Sequence, residues 1–119
     1  MTQGTLQTIS PVDGSVVVER SLSTPEQLSE LIDRGHKAHR EWKRRPLEER
    51  VALLHGLVDR FVSKTDVLAH EITLQMGRPI SQSPGEIAGF AERARAMLDC
   101  APKALATVRP EPKAGFDRW

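Results

Sequence analysis

The sequence has no tyrosine, and aromatic residues make up only 4% of it, so any core must be built from Leu, Val, Ile and Ala. Its single cysteine, Cys100, excludes an intrachain disulfide framework and suits a reducing compartment. No apolar run approaches the ~18 residues of a membrane span, so no membrane partner is expected. Met1 to Ser10 offer neither a basic start nor an apolar stretch, so no signal peptide is expected and a cytoplasmic location is the default. The formal charge of +1 leaves no whole-chain field to attract nucleic acid or an anionic membrane. What is present is ordinary for one globular domain: 119 residues, 39% hydrophobic and 28% charged. A domain of that size hides roughly two thirds of its unfolded surface.

The fold class read from the pattern is mainly α, with a β-hairpin at the front and an extended tail. Residues 1–22 form the hairpin. Thr5 to Ile9 extends, Ser10 to Gly14 supplies the turn, and Ser15 to Glu19 carries the β-branched run Val16, Val17, Val18. A lone two-stranded hairpin is marginal in water, so it needs a surface to lie against.

Residues 23–105 read as about four amphipathic helices. Thr24 caps the first, Pro25 fits its first position, and Gln27 completes a capping box. Leu28, Leu31, Ile32, Gly35, His39 and Trp42 follow on one face, and Pro46 ends the helix. A second helix from about Leu47 to Lys64 carries the stripe Leu47, Val51, Leu54, Val58, Phe61 and Val62. The third bears Leu68, Ile72 and Met76, and stops at a left-handed Gly77 before Pro79. Ser83 is read as the cap of the fourth, with Pro84 in its first turn and Glu86 closing a second capping box. Ile87, Phe90, Ala91, Ala94, Met97 and Leu98 follow, and Pro102 bounds the helix. Residues 106–119 hold several breakers and no period, which reads as an extended tail. Trp119, large and apolar after a linker-like stretch, reads as the edge of a cut rather than a natural end.

The chemistry-bearing residues do not assemble into a site. Cys100 is the only thiol, but Asp99 beside it opposes a thiolate, and free cysteines are often buried as small hydrophobes, the reading favoured here. His36 and His39 share a helix face without a third ligand at a diagnostic spacing. His70-Glu71-Ile72-Thr73 begins like a zinc-protease motif, but Leu74 stands where the second histidine belongs. His36 to Arg45 is the most basic stretch and holds Trp42. It reads as a solvated helix face with cations near its C-terminal end and Trp42 on the buried side. Gly77-Arg78-Pro79 lacks the glycine and lysine spacing of a phosphate loop. No residue is therefore assigned a catalytic, cofactor-binding or metal-binding role.

Taken in order, the helix boundaries resemble the opening of the aldehyde dehydrogenase superfamily. Ser10-Pro11-Val12-Asp13-Gly14-Ser15-Val16-Val17 is similar to that family's early N-P-x-T-G-E-x-I hairpin, with Ser10 for Asn, Asp13 for Thr and Ser15 for Glu. Thr24-Pro25-Glu26-Gln27-Leu28, followed by Ala38-His39-Arg40-Glu41-Trp42, resembles its first helix. Pro46 to Leu54 matches the start of its second. Ile72 to Ile80 resembles the E-x-G-K-P turn, with Gln75 for Glu and Arg78 for Lys. Glu86-Ile87-Ala88 with Glu92 and Arg95 fits the helix that follows.

This resemblance implies a parent enzyme of several hundred residues that oxidises an aldehyde to a carboxylic acid with NAD or NADP. In such enzymes a cysteine thiolate attacks the aldehyde, hydride passes to the nicotinamide, and a glutamate base assists hydrolysis of the thioester. The nucleophile, the base and the cofactor loop fall beyond this stretch, so the chain alone is expected to be inactive. It would be the lead-in segment that packs on a nucleotide-binding α/β domain. Its partners would be the remainder of the chain and, in an intact homo-oligomer, the aldehyde. The fourth helix would border the substrate passage at Gly89 or Phe90. A physical corollary follows: the segment should expose apolar surface well above ~400 Å². Two alternatives make different demands. A stand-alone helical protein-interaction module requires a closed core, and a nucleic-acid binder using His36 to Arg45 requires salt-sensitive binding.

Overall fold

A computed structural model describes residues 4–116; the readings made of residues 1–3 and 117–119, Trp119 among them, lie outside it. β1 (Thr5–Ile9) and β2 (Val16–Ser21) pair antiparallel, and α1 (Pro25–Trp42), α2 (Leu47–Val62), α3 (Thr65–Met76) and α4 (Ser83–Ala104) follow. Mainly α behind a hairpin is what the sequence pattern required.

The hairpin turns where its polar residues satisfy one another. Ser10 donates its amide to the Ser15 carbonyl at 2.8 Å, and Gly14 donates to the Ser10 carbonyl at 2.9 Å. Asp13 Oδ1 accepts from the Ser15 amide at 3.0 Å and from its hydroxyl at 2.7 Å. Gly14 adopts φ 75°, which costs a residue without Cβ nothing. The register slips between Thr8 and Ile9, so Ile9 faces Val16. β2 runs two residues past the expected Glu19, because its pairing with β1 continues to Ser21 opposite Thr5. Val17 and Val18 are half-buried and line an open groove with Val67, His70 and Leu74 of α3.

α1 starts as read. Gln27 donates its amide to Thr24 Oγ1 at 3.3 Å, and Gln27 Oε1 accepts from the Thr24 amide at 2.9 Å. The helix ends at Trp42, and the turn through Arg45 already precedes Pro46. α1 buries no residue, and its apolar face (Leu28, Leu31, Ile32) is about half exposed.

The packing centres on α4. Ala91 and Leu98 of α4 close on Val58 of α2, edged by Val51, Val62 and Ala94. Phe61 and Phe90 tilt together with ring centroids 4.6 Å apart. Two ion pairs bridge the same helices: Arg95 to Asp59 at 2.8 Å, and His55 to Asp99 at 3.7 Å when His55 is protonated. Nearer the start of α4, on the same face, Ile87 is buried, and so is Ala69 of α3, the helix that packs against α4.

Two boundary readings need correction. Ser83 is buried but does not cap α4: its hydroxyl meets Thr73 Oγ1 at 2.9 Å and donates to the Pro79 carbonyl at 3.2 Å. Glu86 closes no capping box and instead holds Arg78 at 2.9 Å. Pro102 does not bound α4, which continues to Ala104. A proline so near the end forfeits only one late hydrogen bond.

The arrangement is open. The radius of gyration is 21.3 Å, against about 14 Å for a compact chain of this length. The accessible surface is 10007 Å², where about 6,500 Å² is usual for this mass. Among the described residues only Val58, Ala69, Ile87, Ala91 and Leu98 are buried apolar side chains, while bare apolar faces run along α1, α2 and α4.

Candidate functional site

Each chemistry-bearing side chain is built into a surface rather than a cleft. Cys100 lies in the penultimate turn of α4, two residues beyond the buried Leu98 and so on the opposite face. It is exposed, which overturns the reading of it as a small buried hydrophobe. Its thiol donates to the Met97 carbonyl at 3.2 Å. An exposed thiol without a base held against it has no means of becoming a nucleophile in an acyl-transfer site.

The histidines are scattered. His36 and His39 are exposed on α1, His70 is exposed on α3, and His55 lies half-buried between α2 and α4. No group of three or more His, Cys, Asp or Glu side chains capable of holding a metal occurs among the described residues. The basic stretch ends α1 and enters the next turn with its charges in solvent and Trp42 half-buried. No helix among the described residues is long and apolar enough to cross a membrane.

The electrostatics are those of local turns. The Ser15 hydroxyl, then the Ser15 amide and the Ser10 hydroxyl, hold the Asp13 carboxyl below its ordinary value. The Glu26 carboxyl is lowered by its own amide and by the Thr24 hydroxyl at the start of α1. Both serve structure, not chemistry.

A dinucleotide needs a glycine-rich turn that leads into a helix and offers its amides to the pyrophosphate. Gly77 sits at the end of α3 instead, with φ 72° as its left-handed cap. The start of α1 is already closed by its own capping box. Neither of these two places presents free helix-start amides to a pyrophosphate.

The features that sequence reasoning passed over are grooves on the bare helix faces. On α2, Glu49, Leu53, Gly56, Leu57 and Arg60 line a shallow groove on the side away from α4. Their signal was a second helical stripe, hidden because the first one already explained the helix. On α4, Gly89, Phe90, Arg93 and Met97 line another. It contains the two residues expected to border a substrate passage.

Comparison with known proteins decides the family. The sequence profile described as "Aldehyde dehydrogenase family" matches residues 1–117. The chain belongs to the aldehyde dehydrogenase family. It is 35% identical over 81 residues to the NADP(+) succinate-semialdehyde dehydrogenase of Deinococcus radiodurans, covering 68% of this chain and 17% of that protein. It is 33% identical over 86 residues to the 3,6-anhydro-alpha-L-galactose dehydrogenase of Streptomyces coelicolor, covering 72% and 18%. With the malonate-semialdehyde dehydrogenase of Bacillus pumilus it shares 27% over 78 residues, covering 66% and 16%. The aligned part thus spans about a sixth of each of these curated relatives. Within an aldehyde dehydrogenase, the hairpin and helices described above are this family's own lead-in, and their open faces gain a physical context.

Proposed function

We propose that these residues are the N-terminal helical portion of a longer NAD(P)-dependent aldehyde dehydrogenase, which oxidises an aldehyde to a carboxylic acid through a cysteine thioester. In this reading the hairpin (residues 1–22) and the helical segment (residues 23–105) pack on a nucleotide-binding domain, and the tail (residues 106–119) leads into it. The nucleophilic cysteine, the glutamate base and the NAD or NADP site are supplied by sequence outside these 119 residues. The intact enzyme is a cytoplasmic homo-oligomer with no nucleic-acid or membrane partner. The groove at Gly89 and Phe90 borders its substrate passage.

The observation that carries this reading is the surplus surface: 10007 Å² against about 6,500 Å². Helices with apolar stripes on two sides are made to be covered on two sides. The rival reading, a stand-alone interaction module, calls for a closed core, and the molecule is open.

A chimera tests it. The first 105 residues replace the matching stretch of the Deinococcus radiodurans relative, and NADP reduction is followed with that enzyme's own aldehyde. A soluble chimera with activity supports the proposal, while the 119-residue chain alone yields no reduced cofactor. A chimera that folds but never assembles with the rest, or a 119-residue chain that turns over by itself, refutes it.

A further inference from the structure

Asp13 is the only aspartate followed by glycine; the others precede Arg34, Arg60, Val67, Cys100 and Arg118. An aspartyl peptide rearranges when the backbone nitrogen of the next residue bonds to the side-chain carboxyl carbon. The carboxyl hydroxyl and the amide proton leave together as water, and a five-membered succinimide closes. Water then reopens the ring at the former main-chain carbonyl, which leaves an isoaspartyl link of unchanged mass. Glycine in second place favours closure, because no Cβ crowds the attacking nitrogen and the backbone turns freely.

Closure asks for a neutral carboxyl, since a carboxylate is a poor electrophile, and for an amide free to give up its proton. The hairpin loop engages both groups. Asp13 Oδ1 accepts from the Ser15 amide at 3.0 Å and from the Ser15 hydroxyl at 2.7 Å, bonds that favour the charged form. The Gly14 amide donates to the Ser10 carbonyl at 2.9 Å, and Ser10 is only 1% exposed, so that acceptor is held in place. Ser10 also ties the far side of the loop, through its own amide to the Ser15 carbonyl at 2.8 Å. Water is at hand throughout, for Asp13 and Gly14 are both exposed. A reactive pair thus faces solvent, restrained by the hydrogen bonds of its own turn.

We propose that Asp13-Gly14 is a site of isoaspartate formation that the folded loop holds in check, and that the link rearranges once the hairpin opens or the Ser15 hydroxyl is lost. The inference rests on one loop inside the chain and stands apart from the reading of a longer enzyme, which the chimera tests separately.

Prolonged incubation at neutral pH tests it, with the isoaspartyl fraction read by chromatography and electron-based fragmentation. Trypsin releases residues 1–20 as one peptide, because Arg20 is the first basic residue. The wild type, Ser15→Ala and Ser15→Thr are each held in native buffer and in guanidinium chloride, with circular dichroism to confirm the fold. The wild type should isomerise about fivefold or more faster when denatured than when native. In native buffer Ser15→Ala should exceed the wild type by about twofold or more, while Ser15→Thr, which keeps the hydroxyl, should match it. In denaturant the three should agree, since no loop remains to protect them. Equal wild-type rates in the two solvents overturn the proposal, and that comparison decides even where a variant fails to fold. So do earlier isomerisation at another aspartate and a folded Ser15→Ala that ages no faster than the wild type.

Discussion

Pro11 in the hairpin loop closes over Gly77, the left-handed cap of α3: a Cβ at Gly77 would stand 2.8 Å from the Pro11 Cγ. This contact couples the two features most specific to the sequence, the Ser-Pro-x-x-Gly turn and the helix-ending glycine. Gly77→Ala meets both a positive φ of 72° and that contact, so it should destabilise the chain by about 1–3 kcal/mol. Gly56→Ala, in open helix, should instead stabilise it by up to about 1 kcal/mol. Urea titrations of the two variants check the contrast, and equal effects would contradict it.

Ile87 is the largest wholly buried side chain among the described residues, 1% exposed where α3 meets α4. Ile87→Ala should cost about 2–5 kcal/mol. Leu31→Ala, on the half-exposed face of α1, should change stability by less than about 0.5 kcal/mol. Thermal unfolding of the two variants distinguishes a molecule held together at α4 from one stabilised evenly along its length.

Cys100 should react fully with an aromatic disulfide in the native chain, without denaturant, since its sulfur is exposed. Cys100→Ser should leave the circular dichroism spectrum and the melting temperature unchanged. Protection of the thiol in native buffer would contradict this placement.

The lowered Asp13 carboxyl fixes the sign of one pH effect. A folded value below the unfolded one, about 3.9, means that the stabilisation is present above the unfolded value. It is lost as pH falls through the folded one. The Asp13 carboxyl carbon, followed by NMR, should therefore titrate at lower pH than a free aspartate, and Ser15→Ala should move its midpoint upward. A midpoint at or above the free value would contradict the turn geometry.

The legible parts of the fold are those decided within a few residues. Thr24 and Gln27 formed their capping box because both partners lie inside one helical turn. Gly77 stopped α3 because its backbone alone permits the left-handed cap. Ser83 and Glu86 carry the same local signal as Thr24 and Gln27 but answer to tertiary partners, Thr73 and Arg78, that no short window shows. Cys100 was misplaced because composition argued for burial while its position two residues past Leu98 put it on the far face. The α2 stripe that holds Val51 and Val58 was readable, since its residues recur at helical spacing. The second stripe of α2 was not, because a hydrophobic pattern says that a face seeks cover and says nothing of how many sides have found it.

The molecule measures 70 × 43 × 22 Å. A helix with its side chains is about 10–12 Å across, so the short dimension admits only two. Half of 22 Å places every atom within about 11 Å of bulk water along that direction. Stabilising a developing oxyanion needs preorganised donors shielded from solvent, where each counts for more than it does in water. A sheet of protein two helices thick has no depth at which to hide them. In the longer enzyme proposed above, the dry chamber would be formed by polypeptide stacked above or below these helices.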